Sequence, residues 1–205
     1  MRFLFTSNPL LGHFLPMVPL IRAAQAAGHQ VRVATGADLA PEVHRHGFPI
    51  WAVGPKMSQA WAELAANADA TQDVAAQKHQ AATLLFARPA AARARQLVPM
   101  AATWRPDVVV HELYELAGWE AAAAVGATNV VHGFGTHLPE MAEFARVVGS
   151  AVAEELGTPN RASDLFDAPY LDPCPPSLQP PEASQFSNVA SIRPETGTSL
   201  SLIHI

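Results

Sequence analysis

Two textures alternate along the 205-residue chain. Short apolar runs bounded by turn residues give way to stretches in which apolar residues recur three and four positions apart. The first pattern marks strands buried on both faces of a parallel sheet, and the second marks amphipathic helices. Arg2–Thr6 predicts a first strand and Phe14–Ala27 a helix, with Phe14, Val18 and Ile21 on one face and Gly28 closing it. Pro16 and Pro19 fall in or beside the first turn, where few amide donors have intrahelical partners. Gln30–Thr35 predicts a second strand, Pro41–His46 a short helix stopped by Gly47, and Phe48–Val53 a third strand.

The texture changes over 56–104. This stretch is alanine-rich, poor in strand formers and interrupted by Pro89 and Pro99, which predicts two or three helices. Such an insertion either covers the ligand edge of the sheet or forms a plain outer layer. Alternation then returns. Asp107–His111 and Thr128–His132 predict strands, Tyr114–Val125 a helix ending at Gly126, and Leu138–Leu156 a further helix. Five strands with interleaved helices imply an α/β fold, a Rossmann-like doubly wound parallel sheet with right-handed crossovers. After Gly157 the segment Asp172-Pro-Cys-Pro-Pro-Ser-Leu-Gln-Pro-Pro181 is too rich in proline for a helix or a central strand. It reads as fixed extended chain, with Leu171, Leu178 and Phe186 available to lie against the domain. The division expected is a domain over 1–157, a proline-rich segment over 158–198 and an atypical tail over 199–205.

Composition narrows the function classes. Apolar residues make up 49% and charged residues 15%, enough for a real core. The formal charge is −5 and no Lys/Arg cluster stands out, which argues against a nucleic-acid partner. A single cysteine, Cys174, excludes an internal disulfide and any multi-cysteine zinc site. The amino-terminal apolar run is broken by Asn8, Pro9, Gly12, His13 and Pro16, and nothing approaches a membrane span, so a cytoplasmic protein without a membrane partner is expected.

Strand carboxyl ends share one edge of a parallel sheet, and ligands bind there. The loops Ser7–His13, His111–Leu113 and His132–Thr136 therefore project to the same side. His13 can meet Glu112 or His111. A carboxylate on one imidazole nitrogen fixes the tautomer and leaves the other nitrogen to take a proton, which suits activation of a substrate hydroxyl. Ser7 lacks a Gly-x-Ser-x-Gly elbow, so a hydrolase is the weaker reading. Glu112 can instead favour the following helix start, and His111 and His132 are expected to satisfy buried polar contacts rather than bind a metal, since no His-x-x-x-His or clustered carboxylate pattern accompanies them. Neither Gly-x-Gly-x-x-Gly nor a P-loop is present, so no self-sufficient nucleotide site and no metal site is expected.

The runs Gly12-His-Phe-Leu-Pro-Met-Val-Pro-Leu20 and Ala27-Gly-His-Gln-Val-Arg-Val-Ala-Thr35 resemble the amino-terminal domain of inverting GT-B glycosyltransferases of the family-1 type. Pro106-Asp-Val-Val-Val-His-Glu112 with Ala117-Gly118 and Gly126 is similar to that domain's fourth strand and helix. Asp172-Pro-Cys-Pro-Pro-Ser-Leu178 is similar to a segment of actinobacterial enzymes that glycosylate macrolide, polyketide and glycopeptide antibiotics. The resemblance implies an acceptor-binding domain in which His13 deprotonates an acceptor hydroxyl and Glu112, where the family often has aspartate, pairs with it. Leu10, Gly12, His111 and Phe134 would surround the acceptor. The implied ligands are a hydrophobic aglycone and a nucleotide-sugar co-substrate, with no cofactor; a second copy of the chain or an auxiliary protein stays open as a partner. Family members run to about twice this length. Their nucleotide-sugar stretch, at a helix amino terminus in the second domain, has no counterpart here, so the chain reads as an acceptor half with little transfer activity alone. The tail reads as a truncation, a frameshift or a cloning terminus. A non-catalytic auxiliary or binding module is the alternative, and an epimerase or lipid-linked transferase of related fold is a third reading.

Overall fold

The computed structural model describes residues 1–68, 71, 73–180 and 185–193. Seven parallel strands form one sheet in the order β3-β2-β1-β4-β5-β6-β7. They are β1 Arg2–Thr6, β2 Gln30–Thr35, β3 Ile50–Ala52, β4 Val108–Glu112, β5 Thr128–His132, β6 Pro169–Asp172 and β7 Asn188–Ser191. The order reverses between β1 and β4, whose registers place Thr6 beside His111. That reversal opens a crevice at the carboxyl ends of these two strands, where the loops diverge to opposite faces.

Alternation along the strands builds two cores. Phe5, Val31, Val33, Val108 and Val110 point to the face covered by α2 (Val18–Ala26) and α3 (Ala40–Arg45). Leu4, Ala34, Val109 and Val131 point to the other face, beneath α6 (Arg88–Trp104), α7 (Ala117–Val125) and α8 (Met141–Leu156). Both faces of the central strands are thus apolar, as their continuous Val/Leu/Phe runs require.

The predicted first helix is broken into three pieces: α1 (Leu11–Phe14), a 3-10 turn over Leu15–Met17, and α2. Pro16 and Pro19 each sit at the start of the piece they enter, where a missing N–H costs least. The 56–104 segment forms α4 (Met57–Ala66), α5 (Val74–Ala82), a π-helical turn over Thr83–Ala87, and α6. Pro89 starts α6, but α6 runs on through Pro99, against expectation. Packing of its Ala94, Leu97 and Ala101 against the core outweighs the lost hydrogen bond. The segment does both jobs foreseen for it. Helix α6 packs on the sheet beside α7 and α8, as the outer helical layer of the sheet, while α4, α5 and the π turn reach the ligand edge.

Two strands beyond the five expected come from the proline-rich stretch. β6 pairs with β5 and β7 with β6, so Pro169–Asp172 and Asn188–Ser191 extend the same sheet. Pro169 is tolerated because it is the first residue of its strand. Phe186 is buried on Tyr170, with ring centroids 4.1 Å apart, whereas Leu178 is exposed. The tail expected over 199–205 lies outside the described residues.

Candidate active site

The turn after β1 is fixed from below. Pro9 is buried against Gly36, where a Cβ would stand 2.8 Å from its ring, so only glycine leaves room. Leu10 is extended and its carbonyl accepts the amides of His13 and Phe14, launching α1. Fully buried Phe14 anchors this short helix and holds His13 at its last turn.

His13 meets Glu112 at the end of β4: Nδ1 and Oε1 are 2.9 Å apart. The His13 side chain is 12% exposed and that of Glu112 is 0% exposed. The same carboxylate accepts the Asn8 backbone amide at 3.1 Å, the Asn8 side-chain amide at 2.6 Å and the Tyr114 amide at 2.6 Å. Burial disfavours the carboxylate, but the charge and hydrogen bond of His13 and the Tyr114 and Asn8 amides outweigh it and hold the Glu112 pKa below the ordinary value. Burial likewise disfavours the imidazolium, yet Glu112's charge and hydrogen bond raise the His13 pKa. The hydrogen-bond network puts the proton of neutral His13 on Nδ1, which leaves Nε2 as the acceptor.

A second buried set stands behind this pair. Arg93 of α6 bonds Glu115 through Nη1 at 2.8 Å and reaches Asn8 Oδ1 at 3.3 Å. Thr6 Oγ1 and the amides of Ala117 and Gly118 also donate to Glu115. Helix α7 therefore begins at Ala117, three residues later than the pattern suggests, because Glu115 caps its first amides from the preceding turn.

In front of His13 the surroundings are aromatic. Ring centroids of Phe134, Tyr114 and Phe86 lie 4.3, 5.8 and 6.3 Å from its own. Phe144 of α8 extends the wall, 4.5 Å from Tyr114. Tyr114 also lines an apolar cleft of about 750 Å³ between α5 and α8, bordered by Ala75, Ala82, Leu138, Phe144 and Val147. A cleft of this size holds a fused-ring or macrocyclic molecule. Burial, with Glu112 and Glu140 nearby, pushes the Tyr114 phenol up to about 12, so it stays neutral.

Of the residues singled out from sequence, His13, Glu112 and Phe134 come together. Leu10 is half-buried against Met57, Ala60 and Leu85 and anchors the loop. Gly12 is exposed, with open space where its Cβ would be, so its backbone is open to a ligand. His111 is not brought to the cleft. It is fully buried, bonds the Glu112 carbonyl through Nδ1 at 3.0 Å and lies 6.0 Å from Trp119 of α7. Adjacent strand residues face opposite sides, so only one of His111 and Glu112 can face His13. Ser7 is buried and its hydroxyl has no hydrogen-bond partner among the described residues, so no Ser–His pair forms there. Asn8, Tyr114, Arg93, Glu115, Phe86 and Phe144 were missed; the one signal was Glu115, a second acidic residue just past β4. Among the described residues no group of three or more His, Cys, Asp or Glu is placed to hold a metal, and no helix is long and apolar enough to cross a membrane.

Residues 22–199 match the family described as erythromycin biosynthesis protein CIII-like, N-terminal domain. The L-demethylnoviosyl transferase of Streptomyces niveus is 35% identical over 88% of the chain and 46% of its own length. The elloramycin glycosyltransferase ElmGT of Streptomyces olivaceus is 34% identical over 87% of the chain and 47% of its own length. Among solved structures, the Streptomyces sp. SF2575 glycosyltransferase SsfS6 complexed with thymidine diphosphate superposes with a TM-score of 0.74 at 25% identity, over 95% of the chain and 53% of that structure. The chain spans about half the length of the curated relatives it matches.

Proposed function

Because the chain belongs to the erythromycin biosynthesis protein CIII-like N-terminal domain family, we propose that it is the acceptor-binding half of an inverting antibiotic glycosyltransferase. The observation that carries this reading is the 2.9 Å contact between His13 Nδ1 and the enclosed Glu112 carboxylate beside an apolar cleft. The aglycone packs its rings against Tyr114, Phe144 and Phe134 and presents a hydroxyl to His13 Nε2. That nitrogen takes the hydroxyl proton as the oxygen attacks the anomeric carbon of a nucleotide-sugar; the nucleoside diphosphate departs and the configuration inverts. Glu112 stabilises the imidazolium that forms. No cofactor enters the scheme, since the sugar donor is itself activated. SsfS6 is a glycosyltransferase solved in complex with thymidine diphosphate, which supports a nucleoside diphosphate leaving group here. Tyr114, which lines the cleft, has its ring centroid 5.8 Å from that of His13, and transfer requires acceptor and sugar donor to be held together there.

The test is sugar transfer in a protein carrying this chain together with a nucleotide-sugar-binding half. His13→Ala is expected to abolish transfer while aglycone still binds. Near-normal turnover by that variant overturns the assignment of His13, and aglycone binding without transfer in the parent supports a non-catalytic binding module instead.

A further inference from the structure

We propose that Arg93 and Glu115 are positioning residues that set the proton affinity of His13 by charge balance, with Asn8 as the link. The inference rests on the reading of His13 as a base, and it goes beyond the His13–Glu112 pair to the buried charges behind it.

Thr6, Asn8, Arg93, Glu112 and Glu115 are all 0% exposed. The Glu112 carboxylate faces His13 Nδ1, the Asn8 amide and side chain, and the Tyr114 amide. The Glu115 carboxylate faces Thr6 Oγ1, Arg93 Nη1 and the amides of Ala117 and Gly118. Every hydrogen bond on both carboxylates comes from a donor. Asn8 joins the two sets, accepting from Arg93 with Oδ1 and donating to Glu112 with Nδ2.

The cluster therefore holds two carboxylates against one guanidinium. It is neutral only when His13 is an imidazolium, the state a base reaches when it takes a substrate proton. Low-dielectric surroundings make such an imbalance felt over more than one contact. Other titratable groups around His13 do not correct it. Tyr114 is neutral, and burial holds His111 and His132, which flank Glu112 on β4 and β5, in their neutral forms. Phe86 and Phe134 complete the surroundings of the ring. Arg93 itself leaves Nε and Nη2 without partners among the described residues, so it is poorly compensated as a purely structural cation. Charge tuning supplies a reason for it to stand there.

The experiment is an NMR pH titration of the His13 ring in the 205-residue chain, its signal assigned by loss in His13→Gln. Glu115→Gln leaves Arg93 and Glu112 already balanced, so the His13 midpoint falls by about one pH unit. Arg93→Met leaves the charge of Glu115 uncompensated behind the Glu112–His13 pair, so the midpoint rises. Arg93→Lys keeps the charge and leaves it unchanged, and the Arg93→Met/Glu115→Gln double variant returns it towards the parent. Midpoints that stay put in both Glu115→Gln and Arg93→Met, or move in the same direction in the two, overturn the proposal. Should Arg93→Met not fold, Glu115→Gln and Arg93→Lys decide it. No step needs transfer activity, so a failure here is distinct from a failure of the glycosyltransferase reading.

Discussion

A Cβ on Gly118 would stand 2.2 Å from Thr6 Oγ1 and 2.9 Å from the His111 Cβ. Helix α7 thus touches the ends of β1 and β4 through bare backbone. That approach brings the Ala117 and Gly118 amides onto Glu115 and sets Glu115 against Arg93. The glycine of the Ala117-Gly118 pair is a spacing device for the charges behind His13.

Gly118→Ala is accordingly expected to destabilise the domain by about 1–3 kcal/mol, since backbone and a buried hydroxyl must give way. Gly12→Ala is the control. It meets open space on a helical turn, so its stability should stay within about 0.5 kcal/mol of the parent. Chemical denaturation of the two variants checks the contrast. If Gly12→Ala proves functionally costly at unchanged stability, a ligand comes close to that backbone.

Glu112→Gln removes the charge that raises the His13 pKa while keeping the side chain's size. Burial then acts on the imidazole without opposition, and its pKa falls below the ordinary histidine value. Transfer measured with a complete donor half should drop by about 10²–10⁴ in kcat, with aglycone affinity little changed. An equal loss in aglycone binding would mean that Glu112 shapes the cleft rather than the base.

How far the sequence reached depended on how local each determinant was. The β1-to-α1 passage and the end of β4 were legible because a doubly wound sheet places those two loops together, and His13 and Glu112 followed. Strands β6 and β7 were not, because four residues starting at Pro169 carry no alternation long enough to read; pairing with β5 makes them strands. Arg93 and Asn8 are 85 residues apart in sequence, and no pattern in either segment announces that they bond. His111 was a parity error: once Glu112 turns towards His13, its neighbour must turn towards α7.

The aromatic wall can be tested by binding alone. Phe144 bridges Tyr114 and Phe86, with centroids 4.5 and 5.1 Å away, and borders the 750 Å³ cleft. Phe144→Ala removes apolar surface worth about 1.5–3 kcal/mol when buried, so the Kd for an apolar aglycone should rise about tenfold or more. Fluorescence or calorimetric titration reads this directly. An unchanged Kd would place the aglycone elsewhere.

His132 makes the fold sensitive to acid. It is fully buried at the end of β5, and burial, only partly offset by the Gly133 backbone and the charge of Glu112, pushes its pKa from 6.5 down to about 4. Between these two values the unfolded chain takes up a proton that the native state refuses. Stability therefore falls as pH drops from 6.5 to about 4, by up to about 3 kcal/mol, and levels off below that for this group. His111, also lowered by burial, acts in the same sense. His13 acts in another window: its raised pKa gives stability that is full below 6.5 and is lost as pH rises through the native value. His132→Leu should flatten the slope between pH 6.5 and 4 in urea unfolding while leaving the change above 6.5 intact. Equal slopes in parent and variant across the acid range would show that His132 does not carry the sensitivity.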